Sequence, residues 1–252
     1  MCDSISGWLA GRARWVGYRG YYRLVGANYA HRWLSTKNST PAGSFRSYEL
    51  LPRHRSDPML AELDAAAGPE AVIYDLGANV GVYSLALAAG SPGRRLLAVE
   101  PDPRIRGQLQ DNVACNAFGD RIEIVGCGVG ETDDSRQFYR STYPECSGFD
   151  RESATRWEAA VAETGEVAVR RLDTLAAGHR PPDAIKVDVE GAEPAVLRGG
   201  RETLAAHQPT LFVEIHQEGL SADTGHELRE ILAEVDYSIT ERGDYWRCEP
   251  HA

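Results

Sequence analysis

The stretch Val72-Ile-Tyr-Asp-Leu-Gly-Ala-Asn-Val-Gly-Val-Tyr-Ser84 constrains this chain more than any other. A run of apolar, strand-type residues enters a turn carrying Gly77 and Gly81, and a helical pattern starts directly after it. Glycines at such a turn let the backbone approach a ligand closely, and the N-terminus of the following helix favours a negative group. Downstream, the short Val/Ile/Leu-rich segments 71–75, 95–100, 121–125, 184–189 and 210–215 alternate with helical patterns near 80–90, 102–117, 192–205 and 222–235. That alternation predicts right-handed βαβ units, a mainly parallel sheet with helices on both faces, and ligands at the carboxyl ends of the strands. A polar stretch over 140–165, between expected strands near 136–140 and 166–172, interrupts the alternation. Beside a site, such an insertion serves as a lid or acceptor wall; elsewhere it is a surface loop.

The 252 residues suffice for one α/β domain with an appendage. The division expected is an arm over 1–56 and a body over 57–252. The arm holds nine Lys or Arg against Asp3 and Glu49, whereas the body carries a deficit of 17 behind the net charge of -10. An acidic body repels phosphates, so no nucleic-acid partner is expected. In the arm, Trp8, Trp15, Tyr22 and Tyr29 recur every seven residues, with Tyr18, Val25 and Trp33 three or four further on. A helix there carries an aromatic stripe flanked by Arg12, Arg19 and Arg23, suited to packing on the body, to a homodimer or to peripheral membrane contact. No run reaches the roughly 18 apolar residues of a membrane span, and no signal-peptide pattern opens the chain, so the expected compartment is cytoplasmic, with the membrane surface as an option. The five cysteines are scattered without a Cys-x-x-Cys pair, which predicts neither a disulfide framework nor a zinc site.

About 24 residues after Asp75, the next expected strand ends in Glu100-Pro-Asp-Pro103, placing a carboxylate where it can accept from both hydroxyls of a ribose. A nicotinamide dehydrogenase shares this architecture, but its G-x-G-x-x-G spacing is missing: Asn79 stands where a second glycine belongs. Nor does Lys37 or Lys186, the only two lysines, complete a Tyr-x-x-x-Lys pair. The segments 75–84 and 99–103, Asn112 with Asn116, 172–175, 185–193 with 196–199, and 213–216 together resemble, in order and spacing, the FkbM family of methyltransferases. The resemblance implies a class I, Rossmann-like α/β methyltransferase fold with a mainly parallel seven-stranded sheet, S-adenosylmethionine as cofactor, and O-methylation of a sugar, a glycan or lipid-linked acceptor, or a secondary metabolite. It does not cover the aromatic, basic arm.

Carried over by position, the resemblance places the methionine moiety on Asp75, Gly77, Asn79 and Gly81, and the ribose on Glu100. Asn112 is expected at the cofactor or in a helix-to-loop hydrogen bond, and the adenine near 125–128. Methyl transfer to an alcohol needs an oriented hydroxyl and a place for its proton. His216, two residues after Glu214 on the same face of a strand end, is the expected general base, with Asp188 or Glu214 orienting it. Asp188, Glu190, Glu214 and His216 could also hold a divalent ion, although no metal is expected. A non-catalytic cofactor-binding subunit would keep Gly77, Gly81 and Glu100 without needing the Asp188 and His216 cluster.

Overall fold

The structure is a computed structural model that describes residues 20–52, 54–215 and 222–251. Its centre is a seven-stranded sheet. Five strands run parallel: β3 (Val72–Leu76), β4 (Arg95–Val99), β5 (Ile122–Val125), β9 (Ala184–Val187) and β10 (Thr210–Glu214). β12 (Tyr245–Pro250) is antiparallel both to β10 and to the edge strand β11 (Tyr237–Glu241). The order β11-β12-β10-β9-β3-β4-β5 reverses direction between β3 and β9. A crevice opens at the carboxyl ends of strands on either side of such a switch point.

Successive side chains of each strand serve opposite faces. Tyr74, Leu76, Ile185, Val187, Leu211 and Val213 join one core cluster, covered by α5 (Leu172–Gly178), α6 (Glu193–Arg198), α7 (Arg201–His207) and α8 (Ala222–Glu234). Ile73, Leu96, Ala98, Ala184 and Phe212 join the other, under α2 (Pro58–Ala66), α3 (Val82–Gly90) and α4 (Pro103–Cys115). The fold is thus the class I methyltransferase α/β fold expected, with helices on both faces.

Several local expectations are corrected. The single helix expected near 192–205 is two, α6 and α7, separated at Gly199 and Gly200. A Cβ on Gly199 would lie 2.1 Å from the Gly130 carbonyl oxygen, and one on Gly200 would lie 2.6 Å from Leu172 Cδ2, so this corner is pressed too close for side chains. Residue 172 starts α5 rather than ending a strand, because β8 (Val161–Arg171) stops one residue earlier. β8 pairs with β7 (Asp134–Ser141) and β6 (Gly128–Gly130) in a separate three-stranded sheet, so the insertion is an ordered ribbon.

Residues 20–31 form a helix, α1, and β1 (Thr36–Ser39) pairs with β2 (Ser44–Ser47) in a hairpin. Val25 and Tyr29 of the aromatic stripe turn inward. Trp33 does not: it is 70% exposed and stacks on His31. Trp8, Trp15, Tyr18, Arg12 and Arg19 lie outside the described residues. The hairpin is clamped by Asn116, whose side chain accepts from Arg46 N–H at 2.7 Å and donates to Arg46 carbonyl at 2.6 Å. Among the described residues, no helix is long and apolar enough to cross a membrane.

Candidate active site

A cavity of about 1080 Å³ opens over the switch point, walled by the turn after β3, the ends of β4, β9 and β10, helix α1, the hairpin and the insertion. The turn is forced into left-handed conformations: φ is +77° at Gly77, +50° at Asn79 and +89° at Gly81. Asn tolerates this region better than most residues, and its Oδ1 secures the bend by accepting from Val80 N–H at 2.7 Å. A Cβ at Gly77 would fall 1.8 Å from the Asp188 carbonyl oxygen, so glycine is what permits the ends of β3 and β9 to meet.

Lys186 holds that junction together. Asp75, Lys186 and Asp188 lie on one face because Asp75 is registered against Lys186, and Asp188 follows two residues later. The Lys186 ammonium donates to the Gly77 carbonyl at 3.0 Å and pairs with Asp75 at 3.1 Å and Asp188 at 3.2 Å. The Asp75 contact is an ion pair rather than an aligned hydrogen bond, since among the described residues that Oδ1 has no hydrogen-bond partner. Asp75 Oδ2 caps the helix start by accepting from both Ser84 N–H and its hydroxyl. Burial opposes the Lys186 charge, but Asp75, Asp188 and Glu214 more than compensate and hold its pKa above the ordinary lysine range. Lys186 is therefore a central strut of the site.

Glu100 stands on the opposite wall, 6% exposed. One carboxylate oxygen accepts from Asn79 N–H at 2.9 Å and the other from Asp102 N–H at 2.8 Å. Each oxygen keeps a lone pair for a further donor. Burial pushes Glu100 up to about 7, against the two backbone donors that favour its charge. Asp102 caps α4 through Arg104 N–H and pairs with Arg140 of β7 at 3.5 Å, so the insertion is tied to the same turn. The other Asp102 oxygen is buried at this wall, with no hydrogen-bond partner among the described residues.

Asn112, expected at the cofactor, stands behind the loop. It is wholly buried; its amide donates to Tyr29 hydroxyl and Val80 carbonyl, both at 2.9 Å, and accepts from Tyr48 N–H at 3.0 Å. With these bonds made, it clips the arm to the loop rather than touching a ligand, which is the helix-to-loop alternative. Asp188 and Glu214 come together across adjoining strand ends. His216 lies outside the described residues. Around Asp188, the positive charge a divalent ion would bring is already supplied by Lys186.

Two groups at the cavity have no counterpart in the sequence reading. Phe149 packs on Gly128, where a Cβ would meet its ring at 2.4 Å, and makes an edge contact with Phe138. His54 Nδ1 lies 2.8 Å from Asp57 Oδ2, and the Tyr83 hydroxyl donates to both Asp57 oxygens at 2.9 Å. The one local signal for the second group was Asp57-Pro58, an N-cap and first-turn pair that starts α2, with a histidine three residues before it.

Residues 75–239 match the family described as the Methyltransferase FkbM domain. The chain is 30% identical over 151 residues to the 2-O-methyltransferase NoeI of Sinorhizobium fredii, covering 54% of this chain and 60% of that protein. It is 27% identical over 176 residues to the 31-O-demethyl-FK506 methyltransferase FkbM of Streptomyces tacrolimicus, covering 59% and 66%. The chain spans less than two thirds of each of these curated relatives. The crystal structure of a methyltransferase FkbM from Methylobacillus flagellatus shares the fold at a TM-score of 0.51 and 23% identity, over 72% of this chain and 44% of that one.

Proposed function

Because the chain belongs to the Methyltransferase FkbM domain family, we propose that it transfers the methyl group of S-adenosylmethionine to a hydroxyl of a sugar, a glycan or lipid-linked acceptor, or a secondary metabolite. The observation that carries the cofactor half is Glu100, a buried carboxylate at the cavity wall with one lone pair on each oxygen left for a diol. The residues fit the group in three further respects. The turn over 77–81 leaves its backbone against the cavity for the amino-acid end, Phe149 with Cys127, Gly128 and Val129 forms an apolar wall for a flat base, and the volume of about 1080 Å³ leaves room for an acceptor. When bound, the cofactor supplies an electrophilic methyl carbon on a positively charged sulfur. The chain's own part is to orient both partners, hold the loop through Lys186, and receive a proton.

The relatives favour oxygen as the methylated atom: NoeI is a 2-O-methyltransferase, and the Streptomyces protein acts on 31-O-demethyl-FK506. The acidic lining contributed by Asp57, Asp188, Glu190, Glu214 and Asp244 suits a neutral polyhydroxyl acceptor, and disfavours one bearing phosphate.

The test is ligand-induced thermal stabilisation. S-adenosylhomocysteine should raise Tm by an amount set by its concentration relative to Kd, NADH should not, and Glu100→Ala should remove most of the shift. A larger response to NADH would overturn the reading. Label from S-adenosyl-[methyl-³H]methionine should then pass to an acceptor among 31-O-demethyl-FK506, free hexoses and 6-deoxyhexoses.

A further inference from the structure

The proton released when a hydroxyl is methylated must go to a group at or near the cavity wall, and several titratable side chains there are already engaged. Lys186 is held protonated by three carboxylates. Tyr83 is pushed far above the ordinary tyrosine range by burial and by Asp57, and its hydroxyl is donated to that carboxylate. Asp75 lies beneath the turn and is spent on Ser84 and Lys186, and Asp188 shares the same ammonium. Glu100 faces the ribose position.

His54 differs from all of these. Its side chain is 35% exposed and lines the cavity, with Asp57 14% exposed behind it. Asp57 also accepts from Leu60 N–H at 3.0 Å as the cap of α2. Burial opposes its charge, yet the hydrogen bonds from His54, Leu60 and Tyr83 hold its pKa below the usual carboxylate value. An ionised carboxylate can only accept, so the proton between the two side chains resides on His54 Nδ1. In the neutral ring this leaves Nε2 as a bare acceptor, and among the described residues Nε2 has no hydrogen-bond partner. Tyr83 fixes the dyad beside the loop: its ring makes an edge contact with His54 at 6.0 Å, and Lys186 Nζ lies 5.0 Å from the same ring's centroid.

We propose that His54, oriented by Asp57, is the general base that takes the proton of the acceptor hydroxyl. The inference rests on the methyl-transfer reading of the preceding section. As the acceptor oxygen bonds to the methyl carbon, the carbon–sulfur bond breaks and its electron pair stays on sulfur, discharging the sulfonium. The hydroxyl proton passes to His54 Nε2, and the imidazolium so formed is balanced by Asp57 until the proton leaves to solvent. Asp57 is a positioning residue. His54 lies outside the family match, which begins at residue 75, so the base comes from the segment leading into the domain.

The test uses the full chain. In ¹⁵N-histidine NMR with S-adenosylhomocysteine bound, and with His54→Gln assigning the resonance among the seven histidines, His54 should show a protonated Nδ1 and a bare Nε2. Asp57→Asn, which keeps the helix cap because Asn caps as well as Asp, should abolish that tautomer preference. His54→Gln should bind S-adenosylhomocysteine within about twofold of wild type. It should cut kcat, on the acceptor of the panel that takes up label, by roughly 10²- to 10⁴-fold. In a crystal structure with S-adenosylmethionine, the methyl carbon should lie within roughly 6 Å of Nε2, the sum of an attack distance and a hydrogen bond. Protonated Nε2, a tenfold loss of S-adenosylhomocysteine affinity in His54→Gln, retained kcat, or a methyl group further off would each overturn the assignment. The affinity loss would give His54 to the cofactor carboxylate instead. If the wild-type protein fails to bind S-adenosylhomocysteine at all, the methyl-transfer reading itself falls, which is a different result.

Discussion

The proposed cofactor side of the cavity is assembled from consecutive elements: β3, its glycine turn, α3, and then β4 ending in Glu100. The proposed acceptor side is assembled from segments far apart in the chain: Tyr29 of α1, the hairpin over 36–47 and the His54–Asp57 pair. The contrast extends to what each region's side chains bind. On the cofactor side, charged groups satisfy one another within a buried network around Lys186; on the acceptor side, polar groups clip one segment to another. A short strand-turn-helix can carry one wall of a cavity by itself, whereas the other wall here needs the arm and the segments leading into the sheet.

The largest effect expected to sharpen this contrast comes from Lys186→Met. The side chain is 3% exposed and faces Asp75, itself 1% exposed. Removing one partner of a buried ion pair leaves an uncompensated charge, which costs about 3–5 kcal/mol. The variant should show a large fall in the denaturation midpoint and loss of the S-adenosylhomocysteine shift, since Asp75, Asp188 and the Gly77 carbonyl are released together. The Lys186→Met, Asp75→Asn pair should recover part of the stability. If stability is lost while cofactor binding is unchanged, Lys186 does not organise the cofactor side.

Legibility in the sequence follows the same division. The turn at Gly77 and Gly81 and the strand end before Glu100 are legible because each depends on its immediate neighbours: glycine favours left-handed turns, and a strand end places the side chain that follows it. The helix expected near 192–205 was misjudged because its break comes from contacts with Gly130 and Leu172, distant in sequence. The type and position of Asn112 allow both a cofactor contact and a helix-to-loop hydrogen bond; the approach of Tyr29 and Tyr48, 83 and 64 residues away, shows that its amide is occupied. Trp33 fits the heptad pattern yet faces solvent, because α1 ends at residue 31 and the pattern has no helix to ride on. His54 carries no local mark of a proton acceptor. It becomes one when α2, started by Asp57-Pro58, sets Asp57 under Tyr83 of a different helix.

A second, intermediate effect is pH-dependent and belongs to the cofactor side alone. Glu100 is raised by burial to about 7, so below that pH it binds a proton in the folded apo protein. Its folded pKa lies above the unfolded one, so its contribution to stability is fully present below about pH 4.5 and is lost as pH rises through about 7. Ribose hydroxyls donate to the ionised carboxylate, so the affinity for S-adenosylhomocysteine should move oppositely, rising up to about tenfold per pH unit below 7 and levelling above it. Glu100→Gln should flatten both dependences between pH 5 and 8 and bind more weakly at pH 8. Calorimetric titration across that range checks it, and an unchanged slope in the variant would assign the dependence elsewhere.

The smallest effect tests whether the two sides are independent. They meet at Asn112, whose amide holds Tyr29 of the arm and the Val80 carbonyl of the cofactor turn at once. Tyr29→Phe keeps the ring, which packs edge-on against Tyr48 at 5.8 Å, and removes the hydroxyl that accepts from Asn112. The buried Asn112 N–H is left without that acceptor, at a cost of about 1–3 kcal/mol. For a chain of this size, each kcal/mol corresponds to roughly 2–4 °C in Tm, so a fall of a few degrees is expected. The Val80 bond survives the substitution, and the turn is also held by Glu100, Lys186 and its own left-handed residues. Affinity for S-adenosylhomocysteine should therefore change by less than about twofold, a difference of under half a kcal/mol. A fall of tenfold or more would mean that the arm sets the conformation of the cofactor turn through Asn112, making the cofactor side dependent on a segment that the family match does not include.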